Sequence, residues 1–153
     1  MLDDLTTPES FKIGEKFENY VREFAFVEAY YDILERTHNY DTNRKDYVES
    51  SLKPDFKFRD KRTKRIFYVE AKFRTDYMDK IMWCNETQLA RYQQYEKEAP
   101  VFVLIGLGDA KYPDPLYLIP LSKIKYTGLF PSFVEKFKVE FDKPISSKTL
   151  WDR

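Results

Sequence analysis

Hydrophobic positions near the N-terminus recur at intervals of three and four residues, a spacing that predicts a long amphipathic helix. Thr7, Pro8 and Glu9 form a typical helix start, with a capping hydroxyl, a proline in the first turn and an acid near the positive end of the helix dipole. We expect the helix to run to about Arg36 and a loop to follow over residues 39–43. The apolar stripe consists of Phe17, Val21, Phe24, Val27, Tyr31 and Leu34.

After a short strand expected within residues 47–53, the pattern changes to a period of two, which predicts a β-hairpin. Polar and aromatic residues alternate over 55–59, residues 60–64 have turn composition, and the alternation resumes over 65–74. On this second arm one face carries Phe67, Val69, Ala71 and Phe73. The other face carries Tyr68, Glu70, Lys72 and Arg74.

A second helix and a central strand follow the hairpin. Asn85 is a typical cap for a helix over residues 86–98, with Leu89 and Tyr92 on its apolar stripe. Residues 101–106 form an unbroken apolar run, which predicts a strand buried on both faces.

The remaining elements are shorter. A strand is expected over 116–119 and a short helix over 132–138, and we expect the tail from about residue 142 to be loosely packed. The order of elements fits one α/β domain over residues 1–153, whose core covers about 8–108 and whose mixed β-sheet is flanked by helices.

Composition narrows the class of protein. No apolar run approaches the roughly 20 residues that span a bilayer, so no membrane partner is expected. Cys84 is the only cysteine, which excludes an internal disulfide and favours a cytoplasmic location. The net charge is zero, yet residues 53–74 are strongly basic, and a phosphate backbone responds to local charge. A charged but merely solvated hairpin is the ordinary alternative.

Three residues of the hairpin suggest metal-assisted phosphodiester chemistry. Asp55 and Glu70 lie on its two arms, and Mg²⁺ prefers one or two carboxylates together with water and phosphate oxygens. Lys72 follows Glu70 by two residues, so the pleat of a strand brings its ammonium to the same face, about 7 Å along. There it could orient a water molecule or bind developing negative charge.

The same residues resemble a known signature. Pro54-Asp55 followed by Glu70-Ala71-Lys72 resembles the motif of the PD-(D/E)xK, or restriction-endonuclease-like, nuclease superfamily. Gly14 with Glu18 resembles the first-helix motif of that superfamily, and Gln88 with Tyr92 resembles the QxxxY element of its RecB-like branch. The resemblance implies a restriction-endonuclease-like mixed sheet flanked by helices. It also implies Mg²⁺- or Mn²⁺-dependent hydrolysis of nucleic acid, with DNA favoured over RNA.

The resemblance also implies roles for individual residues. Metal ligands would be Asp55, Glu70 and the carbonyl of Ala71, with Glu18 completing the outer shell. Lys72 would position the nucleophile, and Gln88 would help to fix Lys72. Nucleic-acid contacts would come from Lys57, Lys61, Arg62, Lys64, Arg65, Arg74 and Tyr92.

Each signal has an ordinary alternative. The short [DE]-x-K pattern also occurs at Asp55-Phe56-Lys57 and Asp109-Ala110-Lys111. Glu70 and Lys72 could form an exposed ion pair, and Gln88 could complete a capping box with Asn85. Tyr92 also serves the apolar stripe of its helix, and Tyr77 and Trp83 suit anchoring better than base stacking. His38 suits a structural role.

Two other functions therefore stay open. The chain could be a nuclease-like fold that binds nucleic acid or a protein partner without cutting. It could also be a charged domain in which Glu18, Asp55, Glu70 and Lys72 lie apart. A homodimer and the biological pathway are both left undecided by the sequence.

Overall fold

The computed structural model describes residues 8–37, 53–75 and 77–153, apart from the side chains of Pro8 and Ser10. His38, the predicted loop over 39–43 and the predicted strand up to residue 52 lie outside these ranges. In chain order, the described residues form α1 (Pro8–Tyr20), a π-helical turn (Val21–Ala25), β1 (Tyr31–Arg36), β2 (Phe56–Asp60), β3 (Ile66–Arg74), β4 (Ile81–Met82), α2 (Glu86–Glu96), β5 (Val101–Gly108), β6 (Pro113–Pro120), a 3-10 turn (Leu121–Lys123), β7 (Gly128–Leu129), α3 (Pro131–Val134), a second 3-10 turn (Glu135–Phe137), β8 (Lys138–Val139) and α4 (Ser147–Trp151).

Six strands form one mixed sheet in the order β1–β2–β3–β5–β6–β8. Neighbouring strands are antiparallel except β3 and β5, which are parallel. Parallel neighbours need a crossover, and the segment containing α2 supplies it. The predicted hairpin, the helix after Asn85 and the strands over 101–106 and 116–119 are confirmed, while the expected helix over 132–138 is divided into α3 and a 3-10 turn.

Helices cover both faces of the sheet. One face of β3 packs through Phe67 and Val69 with residues of α1, and the opposite face packs through Tyr68 with residues of α2. Gly106 on β5 lets α1 approach closely, because a β-carbon there would lie 2.5 Å from Cε1 of Phe17. No helix in the described ranges is long and apolar enough to cross a membrane.

The first helix is shorter than its apolar stripe predicts. The helical segment ends at Ala25, and Tyr31–Arg36 is a strand, so the expected helix to Arg36 is wrong. Phe24 and Leu34 are 57% and 37% exposed, which means that the stripe does not continue as one buried face. The segment instead pairs with β2, with Tyr31 opposite Asp60, because the polar backbone along the edge of β2 gains hydrogen bonds from a third strand.

The C-terminal tail is tightly packed rather than loosely held. Ile145 and Leu150 are buried in the core on the α1 side of the sheet. The Ile145 N–H donates to Ala25 O at 2.9 Å, and the Tyr31 hydroxyl donates to Ile145 O at 2.7 Å. Trp151 Nε1 donates to Oδ2 of Asp60 at 2.8 Å, so α4 is joined to the hairpin turn.

Truncation of Leu150 should measure this packing. We expect Leu150→Ala to lower the free energy of unfolding by about 2–5 kcal/mol, because it leaves a cavity in a closed core. Lys148→Ala is the matched control on the exposed side of α4 and should change it by less than about 0.5 kcal/mol. Urea unfolding followed by circular dichroism measures both, and equal midpoints for the two variants would contradict the packing of the tail.

Candidate active site

The hairpin brings Asp55 and Glu70 together at one end of β2. Thr37 N–H donates to Asp55 O at 2.9 Å, and Asp55 N–H donates to Glu70 Oε1 at 3.2 Å. Asp55 is therefore fixed by backbone groups on one side and by the carboxylate of the next strand on the other. The alternative in which the predicted acids lie apart is wrong for this pair.

Beyond the last backbone pair of β2 with β3, the carboxylate of Asp55 accepts the hydrogen bond that a backbone carbonyl of β2 would otherwise accept. Phe56 opposite Val69 is the last pair of that ladder at this end. The next inward-pointing donor on β3, the N–H of Ala71, donates to Asp55 Oδ2 at 2.8 Å instead. The N–H and C=O of a strand residue point to the same side, so the Ala71 carbonyl also faces the side on which Asp55 lies.

Glu70 and Lys72 form a buried ion pair. Lys72 Nζ lies 3.2 Å from Glu70 Oε2, and the two side chains are only 10% and 5% exposed. The charged face of β3 lies against the α2 side of the sheet, where Tyr92 stacks on Trp83. The pair is therefore not the solvated surface pair that the alternating pattern allows. Burying two charges costs desolvation energy, which makes such a pair a weak source of stability.

Burial raises the pKa of both carboxyl groups. For Asp55, burial is the largest cause, and the negative charges of Glu70 and Glu18 raise its pKa further, while Lys72 and the Ala71 N–H act in the opposite direction. Burial likewise raises the pKa of Glu70, against the effects of Lys72, the Tyr92 hydroxyl and the Asp55 N–H. The site thus concentrates negative charge that its own cations offset only in part.

Helix α1 delivers a third acid. Glu18 is 5% exposed, and its charge is close enough to raise the pKa of Asp55. Arg36 lies at the end of β1, and its Nη2 is 3.7 Å from Oε1 of Glu18. Sequence reasoning missed Arg36, because the predicted helix placed it at a helix end rather than on a strand beside the site.

Gln88 is engaged in capping α2. The Asn85 N–H donates to Gln88 Oε1 at 3.0 Å, and the Gln88 N–H donates to Asn85 Oδ1 at 2.8 Å, which completes the capping box. This bond occupies the carboxamide oxygen of Gln88. Among the described residues, no hydrogen bond joins Gln88 to Lys72, so its predicted role in fixing Lys72 stays a prediction.

Tyr92 is fully buried, so its side chain has no surface with which to contact nucleic acid. Its hydroxyl lies beside Glu70 and lowers the pKa of that acid, but within the described ranges it has no partner of full hydrogen-bond geometry. Tyr92 therefore lies in the core next to Glu70 rather than on a surface that nucleic acid could contact. Cys84 lies near the same charges, and burial raises its pKa to about 12, which argues against a thiolate nucleophile.

Most of the predicted phosphate-binding cations have other partners. Arg74 donates to Met82 O, Phe73 O and Trp83 O, so its guanidinium joins β3 to β4. Lys57 Nζ lies 3.2 Å from Glu98 Oε2, Lys61 Nζ lies 3.6 Å from Asp32 Oδ1, and Arg65 stacks on the ring of Trp151.

The basic turn of the hairpin is also distant from the acids. Arg62 and Lys64 are exposed in this turn. Asp60, at the other end of β2, lies five residues beyond Asp55, which is about 17 Å along an extended strand. The turn is therefore too far away to contact a group bound at Asp55, but it is open to a more distant part of a long ligand.

The donor set fits a hard divalent cation. The carboxylates of Asp55 and Glu70 and the carbonyl of Ala71 lie near one another, and nearby cationic side chains offset their negative charge only in part. Mg²⁺ uses one or two carboxylates together with water and phosphate oxygens. Within residues 8–37, 53–75 and 77–153, no three His, Cys, Asp or Glu side chains are grouped closely enough to hold a metal by themselves. A cation would therefore need oxygen atoms from the backbone, water or substrate.

Removal of one buried charge should stabilise the metal-free protein. Because the folded state raises the pKa of Asp55, its contribution to stability is lost as pH rises from the unfolded pKa through the folded pKa. In EDTA at about pH 7.5, we expect Asp55→Asn to raise Tm by about 2–4 °C, equivalent to about 1 kcal/mol in a domain of this size. The gain should shrink at about pH 4.5, because lower pH favours the protonated, uncharged carboxyl.

Asp109→Asn is the control for this measurement, since Asp109 is exposed and belongs to the second copy of the short motif. Its Tm should match that of the wild type at both pH values. A lower Tm for Asp55→Asn than for the wild type at neutral pH would contradict the electrostatic account of the site.

Comparison with known proteins adds no family assignment to this geometry. No family model matches the sequence, and no curated protein matches it. The function therefore has to be inferred from the arrangement of Asp55, Glu70 and Lys72.

Proposed function

We propose that the protein is a Mg²⁺- or Mn²⁺-dependent nuclease that hydrolyses phosphodiester bonds. The observation that carries this proposal is the contact of Asp55 with Glu70 from the adjacent strand, with Lys72 in ion-pair contact on the same face. The charge of Glu70 raises the pKa of the half-buried Asp55, so an ionised Asp55 opposes folding at neutral pH. A bound cation would offset the negative charge of the two carboxylates and so remove this cost.

Asp55 and Glu70 would hold the cation, together with the carbonyl of Ala71. When bound, the cation would offset charge on the phosphate oxygens and acidify the attacking water. The ammonium of Lys72, fixed by Glu70, would orient that water or bind developing negative charge. Glu18 would accept a hydrogen bond from water in the outer shell, and Gln88 is assigned only its capping role.

The finer parts of the proposal depend on the sequence resemblance. The PD-(D/E)xK signature over Pro54 to Lys72 supports assigning the six-stranded sheet and its flanking helices to the restriction-endonuclease-like fold. It also supports DNA over RNA as the substrate. A cytoplasmic location belongs to the same proposal.

Loss of the Lys72 ammonium should remove cleavage. We expect Lys72→Met to lower the rate of plasmid and oligonucleotide cleavage in Mg²⁺ or Mn²⁺ by about 100-fold or more, as for loss of one group that stabilises transition-state charge. Asp55→Ala should have an effect at least as large, because it removes a proposed metal ligand. Gel electrophoresis of the reaction products measures both rates.

Lys111→Met is the matched control, because Lys111 is exposed and holds the same place in the Asp109-Ala110-Lys111 copy of the motif. It should cleave as the wild type does, and EDTA should stop all cleavage. If the wild type binds DNA but neither cleaves it nor binds Mg²⁺ or Mn²⁺ in calorimetry, the non-cutting alternative is the better one. Equal cleavage by the wild type and Lys72→Met would remove Lys72 from the mechanism.

A further inference from the structure

An exposed apolar face lies on the small sheet formed by β4 and β7. Ile81 and Leu129 pair with each other and point inward, being 0% and 4% exposed. Alternation along each strand then turns their neighbours outward. We call this outer face the platform and define it by Lys80, Met82, Tyr126, Gly128 and Phe130.

The platform is unusually exposed for its composition. Met82 is 55% exposed, Tyr126 71% and Phe130 55%. Met82 lies across Gly128, since a β-carbon at that glycine would be 2.6 Å from the Met82 sulfur. Lys80 Nζ is 5.1 Å from the centre of the Phe130 ring. Met82 and Lys80 thus lie against Gly128, with the Phe130 ring next to Lys80, and Met82, Phe130 and Tyr126 expose apolar surface to solvent.

The platform is attached directly to the catalytic strand. Arg74 follows Lys72 by two residues on the same face of β3, a distance of about 7 Å. Its guanidinium donates to Met82 O at 2.8 Å and to Trp83 O at 3.0 Å. The Trp83 side chain, which is fully buried, donates to Tyr126 O at 3.0 Å and stacks on Tyr92. These contacts fix the platform beside the acids.

Local charge favours an anionic partner. Residues 77–85 and 121–130, which carry the platform, contain Lys80, Lys123 and Lys125 against Asp79 alone. Exposed rings flanked by ammonium groups match the chemistry of an unpaired nucleic-acid strand, in which bases stack on aromatic side chains and phosphates meet cations. A duplex keeps its bases stacked on each other and offers no such faces.

We propose that the platform binds unpaired bases of a nucleic-acid strand whose phosphate reaches Asp55 and Glu70. This inference rests on the proposed nuclease function and narrows its substrate to single strands or single-stranded flanks. Tyr126 and Phe130 stack with bases, Met82 adds apolar contact surface, and Lys80 and Lys125 contact neighbouring phosphates.

The test is binding without cleavage. Fluorescence anisotropy in EDTA gives the Kd for a fluorescein-labelled oligothymidylate of about 20 nucleotides and for an abasic oligomer of equal length and charge. The wild type should bind the oligothymidylate about tenfold more tightly or better, because stacking is lost without bases. Tyr126→Leu/Phe130→Leu, which keeps apolar side chains but removes the rings, should bind both oligomers alike.

Phe24→Leu is the matched control, because Phe24 is 57% exposed but lies on the π-helical turn on the other side of the main sheet. It should keep the preference for bases, and circular dichroism should give the same fold for all variants. Equal affinity of the wild type for both oligomers would overturn the proposal even if the double variant did not fold. A wild-type preference that survives in a folded double variant would also overturn it.

Three further outcomes separate this inference from related ones. A concentration-dependent dimer in sedimentation that the double variant abolishes would assign the platform to a second copy of the chain and overturn its role in base binding. Base-dependent binding without any cleavage in Mg²⁺ or Mn²⁺ would remove the nuclease and leave the platform supported. Cleavage without base-dependent binding would do the reverse.

Discussion

The burial of charge on one face of β3 constrains much of the fold around it. Glu70 and Lys72 are held 3.2 Å apart beneath the α2 side of the sheet, where desolvation opposes both charges. The apolar surroundings that create this cost also strengthen the interaction, because they exclude water. The stacked rings of Trp83 and Tyr92 belong to this shell. The ion pair thus lowers stability within a mostly apolar cluster of side chains.

The position of α2 gives Gln88 and Tyr92 structural roles in capping and packing. The capping box of Asn85 and Gln88 fixes the first turn of the helix, and Leu89 and Tyr92 then face the sheet one and two turns on. Gln88 thereby sets where Tyr92 lies without having to touch the acids itself. Capping and packing thus account for the positions of Gln88 and Tyr92.

Local periodicity predicted the hairpin and its two faces correctly, because a period of two is decided by neighbours within one strand. The first helix was overextended because Tyr31 and Leu34 satisfy a period of three or four as well as they fit a strand, and pairing with β2 decided between them. The local pattern does not predict the close packing of the C-terminal tail, because that packing depends on Tyr31 and Asp60, which are distant in sequence. The platform had no sequence signal, since it exists only when Met82 pairs with Gly128.

Several lysine and arginine side chains are engaged in contacts within the protein, which leaves fewer of them to bind a phosphate backbone. Arg74 is bonded to backbone carbonyls, and Lys57 and Lys61 are paired with acids. With a net charge of zero, the chain has a weak overall field, and binding through phosphates alone would fade quickly as salt rises. Contacts with bases do not depend on counterion release in this way, so a neutral protein gains more from exposed rings than a basic one does. Under the proposed function, the negative charge of Asp55 and Glu70 would repel an approaching phosphate until a cation was bound, so an uncharged anchor close by would help to hold the substrate.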